Sequence, residues 1–258
     1  MPRTLINGTH LYYEEHGSGT PIILTHGFAG TTRMWDPQIP VLSQGYRLIL
    51  HDLRGHGQSD APSDLAQYSW DIVIEDIYQL LRNLGVRQAI VGGLSLGGLV
   101  SLHFYIRHPE MTKALILMDT GPGFRNPESR AAWDRERLRV SAVLEKGGMV
   151  AFMVSPYSEN DYYTSPDIMV SLNPVGLSNI NRALQTNQEM VPLEKVTVPT
   201  LVIVGQNDTA AIAPANYMHR KIQGSRMAVV PGAGHGSNMD QPEIFNRAIL
   251  DFLKDHNL

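Results

Sequence analysis

The run Ile90-Val91-Gly92-Gly93-Leu94-Ser95-Leu96-Gly97-Gly98-Leu99-Val100 constrains the fold of this chain more than any other stretch. Apolar residues precede and follow Ser95, so the run reads as a buried strand, a sharp turn and a helix that starts at once. Gly93 and Gly97 lie two residues before and two after Ser95. A strand that reverses into a helix within one residue puts the turning residue in a strained backbone state. Side chains at the flanking positions would collide, hence the glycines. The strain holds the Ser95 hydroxyl out at the carboxyl end of a sheet, above a helix amino terminus with unpaired N–H groups. The pentapeptide alone is compatible with a nucleophilic serine or with a plain helix-capping one. The rest of the chain has to decide.

Elsewhere strands and helices alternate. Residues 3–15 read as a hairpin turning at Asn7-Gly8. Pro21–Thr25, Arg47–Leu50, Ala89–Leu94, Ala114–Met118, Thr200–Val204 and Arg226–Val230 are short apolar strands of the kind buried on both faces of a parallel sheet. Helices are expected around Asp36–Gln44, Asp71–Leu84, the stretch from Ser95 to about His108, Ala215–Ile222 and Pro242–Lys254. This order predicts an α/β fold with a doubly wound, mostly parallel sheet of eight strands. The alternation breaks between 121 and 192. There Glu128–Glu145 reads as a charged helix, and Pro156, Pro166 and Pro174 cut the remainder into short pieces. Residues 1–120 and 193–258 are therefore expected to form the core domain. Residues 121–192 are expected to form a helical cap inserted after the sixth strand.

At 258 residues the chain is near the upper limit for a single hydrophobic core. A net charge of −4 with no basic block argues against nucleic acid as a partner. The absence of cysteine removes disulfides, thiol catalysis and cysteine-held metals. The amino terminus lacks the apolar core of a signal peptide, and no apolar run is long enough to span a bilayer. A cytoplasmic protein with no membrane partner is the expectation.

A serine hydroxyl is a poor nucleophile until a base takes its proton. In parallel sheets, working groups gather at the carboxyl ends of strands. Asp208 follows the Leu201–Val204 strand, and His235 follows the Arg226–Val230 strand. The chain order Ser95, Asp208, His235 suits attack by Ser95, proton transfer by His235 and orientation of the imidazole by Asp208. Asp119 also ends a strand and is the rival carboxylate; its other reading is a cap for the loop into the insertion. Asp240 reads as an amino-terminal group for the last helix. Two backbone N–H groups are needed to meet a developing oxyanion. Leu96 would give one and Phe28 the other, with Gly27 letting the chain bend toward Ser95. His26, His51, Asp52, Arg54 and His56 have no clear metal-ligand spacing, and Asp52 and Arg54 read as braces of a polar loop.

These pieces together resemble the α/β-hydrolase family. The resemblance rests on His26-Gly27-Phe28, Asp52-Leu53-Arg54-Gly55-His56-Gly57-Gln58-Ser59, Gly93-Leu94-Ser95-Leu96-Gly97-Gly98, Gly205-Gln206-Asn207-Asp208 and Gly234-His235, in that order. It implies the catalytic roles above, a cap at 121–192, and no metal or organic cofactor. The stretch His235-Gly236-Ser237-Asn238-Met239-Asp240-Gln241-Pro242-Glu243 is similar to that of 3-oxoadipate enol-lactonases, although His26-Gly27-Phe28 departs from their usual pattern. Carbon–carbon bond hydrolases of the family often carry tryptophan soon after the catalytic histidine, where this chain has Gly236 and Ser237. Dehalogenases and most epoxide hydrolases place aspartate at the position of Ser95.

The resemblance thus implies a small or medium ester or lactone as substrate. Phe124, Trp133, Met149, Phe152 and Met153, with Tyr157 and Tyr162, are the large groups of the cap from which a pocket would be lined. Arg125, Arg130 and Arg182 are either surface charges or partners for a substrate carboxylate. A small-molecule receptor of the same fold, or a perhydrolase using the same residues, stands as the other functional class.

Overall fold

Along the central strands, alternate side chains fall into two different apolar clusters. Ile23, Val91, Leu115, Leu117, Val202 and Val204 join one; Ile22, Leu24, Ile90, Ala114, Ile116, Leu201 and Ile203 join the other. Period-two alternation with both sets fully apolar is the mark of a sheet covered on both faces. The computed structural model describes residues 3–158 and 165–258.

Eight strands form one sheet: β1 (Arg3–Ile6), β2 (Thr9–His16), β3 (Thr20–Thr25), β4 (Tyr46–His51), β5 (Ala89–Leu94), β6 (Thr112–Met118), β7 (Thr200–Gly205) and β8 (Arg226–Val230). Their spatial order is β1-β2-β4-β3-β5-β6-β7-β8. The β1–β2 and β2–β4 pairs are antiparallel and the rest parallel. One face is covered by α2 (Trp70–Asn83), α3 (Leu96–Arg107) and α7 (Ile212–Lys221). The other is covered by α1 (Ile39–Leu42) and α9 (Pro242–Asp255), with the short α8 (Ser237–Asp240) leading into α9.

Between β6 and β7 run α4 (Pro127–Met153), α5 (Pro166–Ser171), α6 (Pro174–Ile180) and a π-helical turn (Asn181–Gln185). Their apolar residues Val140, Leu144, Met149, Phe152, Met169, Leu172 and Leu177 form a third cluster against Ala29.

Two helix boundaries differ from expectation. The stretch 36–44 holds only the single turn of α1, preceded by a 3-10 turn (Thr32–Trp35), and Pro37 and Pro40 bring no N–H donors with which to extend it. Conversely, α4 does not stop near Glu145. Gly148 takes φ 63° and ψ −161°, a kink through which the helix resumes as far as Met153. Among the described residues no helix is long and apolar enough to cross a membrane.

Candidate active site

Ser95 joins β5 to α3 with φ 56° and ψ −116°, far from any region a serine prefers. The surroundings hold it there. Its N–H donates to Met118 O at 2.9 Å, and its carbonyl accepts from Gly98 N–H, Leu99 N–H and the Thr120 hydroxyl, the last at 2.7 Å. A Cβ at Gly93 would lie 2.4 Å from Gly97 C, and one at Gly97 would lie 2.0 Å from Thr25 O. The crowding inferred from the sequence is present, and its main agent is the end of β3 pressed against the turn.

Asp208 and His235 arrive from β7 and β8. The loops that carry them are tied together: Asn207 N–H donates to Ala233 O at 2.8 Å, and a Cβ on Gly205 would meet Gly234 O at 2.1 Å. Asp208 Oδ2 lies 2.6 Å from His235 Nδ1, and Asp208 Oδ1 accepts from Ala211 N–H at 3.1 Å. Asp208 is buried; the His235 side chain is 18% accessible. Nδ1 is turned to the carboxylate, so Nε2 is the ring nitrogen directed away from it. Asp240 accepts from Gly234 N–H at 2.7 Å, so it braces the loop of His235 rather than serving the amino terminus of α9.

Asp119 does not cap the loop into the inserted segment. Its Oδ1 accepts from Gly205 N–H at 2.7 Å and its Oδ2 accepts from the Ser237 hydroxyl. Burial pushes its pKa up to about 7. It faces the same cavity as Ser95 and His235, but the carboxylate that meets the imidazole is that of Asp208.

Two cavities border Ser95. One, of about 340 Å³, is lined by Leu96, Leu99, Phe124, Pro214 and Gln188 among others. The other, of about 490 Å³, is lined by Phe28, Arg137, Phe152, Tyr157, Met169 and Asp208 among others. Ser95, His235, Trp133 and Gln185 border both. Leu96, one of the residues named for its N–H group, borders the first cavity, and Phe28, the other, borders the second. Leu96 opens α3, where a first-turn N–H has no partner within the helix.

Of the large groups expected to line a pocket, Phe124, Trp133, Phe152 and Tyr157 do so. Met149 and Met153 border neither cavity: Met149 is buried in the third cluster and Met153 packs against it. Tyr162 lies outside the described residues. Arg125, Arg130 and Arg182 border neither cavity, and Arg182 pairs with Glu145 at 2.8 and 3.0 Å. Sequence reasoning passed over Arg137 and Gln185. The available signal was spacing: Arg137 is one turn past Trp133 and three residues before Val140, on the inward stripe of a charged helix.

The buried histidines act as neutral acceptors. Leu53 N–H donates to His26 Nε2 at 3.0 Å, and Ala29 N–H donates to His56 Nε2 at 3.2 Å. Burial holds His26 down at about 4 and His56 well below its ordinary value, which keeps these lone pairs available. Both bonds fix the loop that carries Phe28. Asp52 accepts from Thr32 N–H and Gln58 N–H at 2.7 and 2.8 Å. Arg54 makes a fork with Asp76 at 2.6 and 2.7 Å, so it braces α2 as well as its own loop. Among the described residues no cluster of histidine or acidic side chains has the arrangement of a metal site.

Residues 20–149, about half of the chain, match the family model for the alpha/beta hydrolase fold. The chain belongs to that family. It is 28% identical, over 97% of each chain, to a Bacillus subtilis (strain 168) protein assigned provisionally as a 2-succinyl-6-hydroxy-2,4-cyclohexadiene-1-carboxylate synthase. Among solved structures it is similar to a thermophilic esterase from Thermogutta terrifontis, with a TM-score of 0.86 and 29% identity over 99% of both chains. It is also similar to the enol-lactonase from Burkholderia xenovorans LB400, with a TM-score of 0.83 and 27% identity over 98% of this chain and 100% of that one.

Proposed function

We propose that this member of the family is a serine hydrolase of carboxylic esters or lactones. The observation that carries the reading is the 2.6 Å contact between Asp208 and His235 on a wall shared with Ser95. In this reading Ser95 Oγ attacks the acyl carbon and His235 Nε2 takes its proton. The oxyanion is met by Leu96 N–H and Phe28 N–H. Collapse expels the alkoxide, which leaves with the proton from His235. Water then attacks the acyl-enzyme through the same imidazole and releases the acid.

Asp208 keeps the imidazole in the tautomer that can accept at Nε2 and stabilises its charged form. Residues 121–192 serve as a cap: Phe124, Trp133 and Gln185 face the sheet-borne residues across the cavities. A serine in the strained turn supports acyl transfer over chemistry that begins with a carboxylate nucleophile.

The test is a fluorophosphonate label together with turnover of p-nitrophenyl acetate. Stoichiometric labelling at Ser95 and steady turnover, both lost in Ser95→Ala, are expected. Labelling with a single slow turnover would favour a receptor of the same fold.

A further inference from the structure

Arg137 is 9% exposed, which is unusual for a cation, and its ion pair is a weak one. Its Nη2 donates to Glu136 Oε1 at 2.8 Å, and the Glu136 side chain is 49% accessible. The guanidinium lies over the Trp133 ring, 4.4 Å from the centroid. Its Nε is buried and has no hydrogen-bond partner among the described residues. Gln185 is 5% exposed, and its Nε2 is likewise buried without a partner among the described residues. Both residues border the cavity of about 490 Å³ that Ser95, His235 and Asp208 also border.

These two side chains are held by their backbones. Asn181 Nδ2 donates to Arg137 O and to Ser141 Oγ. Trp133 Nε1 donates to Gln185 O at 2.7 Å. Trp133 and Arg137 are one turn apart on α4, while Asn181 and Gln185 begin and end the π-helical turn. Single π-helical turns recur at functional sites because they re-aim side chains at some loss of helix stability. Here the turn places Gln185 at the cavity that Arg137 also borders, and a native core rarely leaves such buried donors unsatisfied.

We infer that Arg137 and Gln185 bind a free carboxylate carried by the substrate. The inference rests on the hydrolase reading for the word substrate and extends it to a chemical class. A planar fork of N–H donors matches a carboxylate, and the amide adds a further donor. One cation in a chamber that also holds the Asp208 carboxylate suits a monoanion better than a phosphate dianion. The other chamber at Ser95, bordered by Leu96, Leu99, Phe124 and Pro214, takes the apolar arm. The substrate is thus an ester with an apolar arm on one side of the scissile bond and a carboxylate on the other.

The test uses two matched pairs of esters. The first is the p-nitrophenyl half-ester of glutaric acid against its methyl-capped diester, with the charge in the acyl arm. The second is 4-acetoxybenzoate against its methyl ester, with the charge in the alcohol arm. In one pair the wild-type protein favours the free acid. The ratio of kcat/KM for acid over neutral ester in that pair falls by about 100-fold in Arg137→Gln and by about 10-fold in Arg137→Lys. No preference for the acid in either pair, or a ratio that Arg137→Gln leaves in place, overturns the proposal.

If no ester of either pair is hydrolysed, the hydrolase reading fails and a binding measurement still decides this one. Titration calorimetry of monomethyl glutarate into the wild-type protein is expected to show binding that Arg137→Gln abolishes and Arg137→Lys partly keeps. Absence of binding to the wild type, or equal binding to Arg137→Gln, overturns it.

Discussion

Asp119 and Ser237 stand 118 positions apart, and the Ser237 hydroxyl donates to the Asp119 carboxyl group. The other Asp119 oxygen holds Gly205 N–H. One buried carboxyl group therefore joins the end of β6, the end of β7 and the segment just after His235. It sets the frame on which Asp208 and His235 meet.

Burial raises Asp119 from an ordinary 3.8 to about 7, so the folded chain holds its proton more tightly than the unfolded chain does. Its contribution to stability is present below about pH 4 and is lost as pH rises through about 7. A gap that wide corresponds to roughly 4 kcal/mol. Asp119→Asn mimics the protonated form and should show a flatter dependence of unfolding free energy on pH across that window. Urea melts of both proteins at several pH values check this. Burial lowers His26 to about 4 and His51 to about 3, which makes them titrate in the opposite sense, so the difference between parent and variant isolates Asp119.

The two carboxylates should separate in kinetics. Asp208→Asn is expected to lower kcat on p-nitrophenyl acetate by about 10⁴-fold through loss of the required tautomer. Asp119→Asn, which keeps a hydrogen-bonding group on Gly205 and Ser237, is expected to cost less than about 10-fold, a loss of positioning alone. Steady-state rates at pH 7 distinguish them; a larger loss for Asp119→Asn would reassign the acid.

Gly97→Ala is expected to be one of the most damaging small substitutions in the chain. Its Cβ would lie 2.0 Å from Thr25 O and 2.7 Å from His26 O, both backbone atoms that cannot swing aside. The expected loss is about 3 kcal/mol or more, read as a lower urea midpoint with unchanged slope. Gly8→Ala, whose Cβ meets nothing within 4 Å but whose φ is 74°, is the control with backbone strain alone.

The Arg54–Asp76 pair is buried on both sides, with side chains 0% and 3% accessible. Asp76→Ala would leave the guanidinium uncompensated and should destabilise by roughly 3–5 kcal/mol. The double variant Arg54→Met/Asp76→Leu should recover most of that loss. Chemical denaturation of the parent and the two variants checks both expectations.

What was legible in the sequence was what local geometry or strand ends dictate. The turn at Ser95 is a short-range steric problem, and glycine is its visible answer. Asp208 and His235 could be named because parallel strands deliver their next residues to one edge of the sheet. The hairpin at Asn7-Gly8 and the alternation of the central strands were equally local. Long-range polar matches were not legible: nothing near Asp119 in the chain announces Ser237 or Gly205. Arg137 was hidden among the charges from Asp134 to Arg139, where only the register relative to Trp133 shows that it turns inward. The stretch 36–44 misled because its apolar residues drew more weight than Pro37 and Pro40.

Trp133 and Gln185 border both chambers beside Ser95. They act as a party wall between two rooms. Moving that wall enlarges one room at the expense of its neighbour, so changes there trade tolerance for one half of a bound molecule against tolerance for the other. A lineage that needed to retune one half alone would have to work on the far sides instead, at Phe124 and Pro214 in one room or at Tyr157 and Met169 in the other.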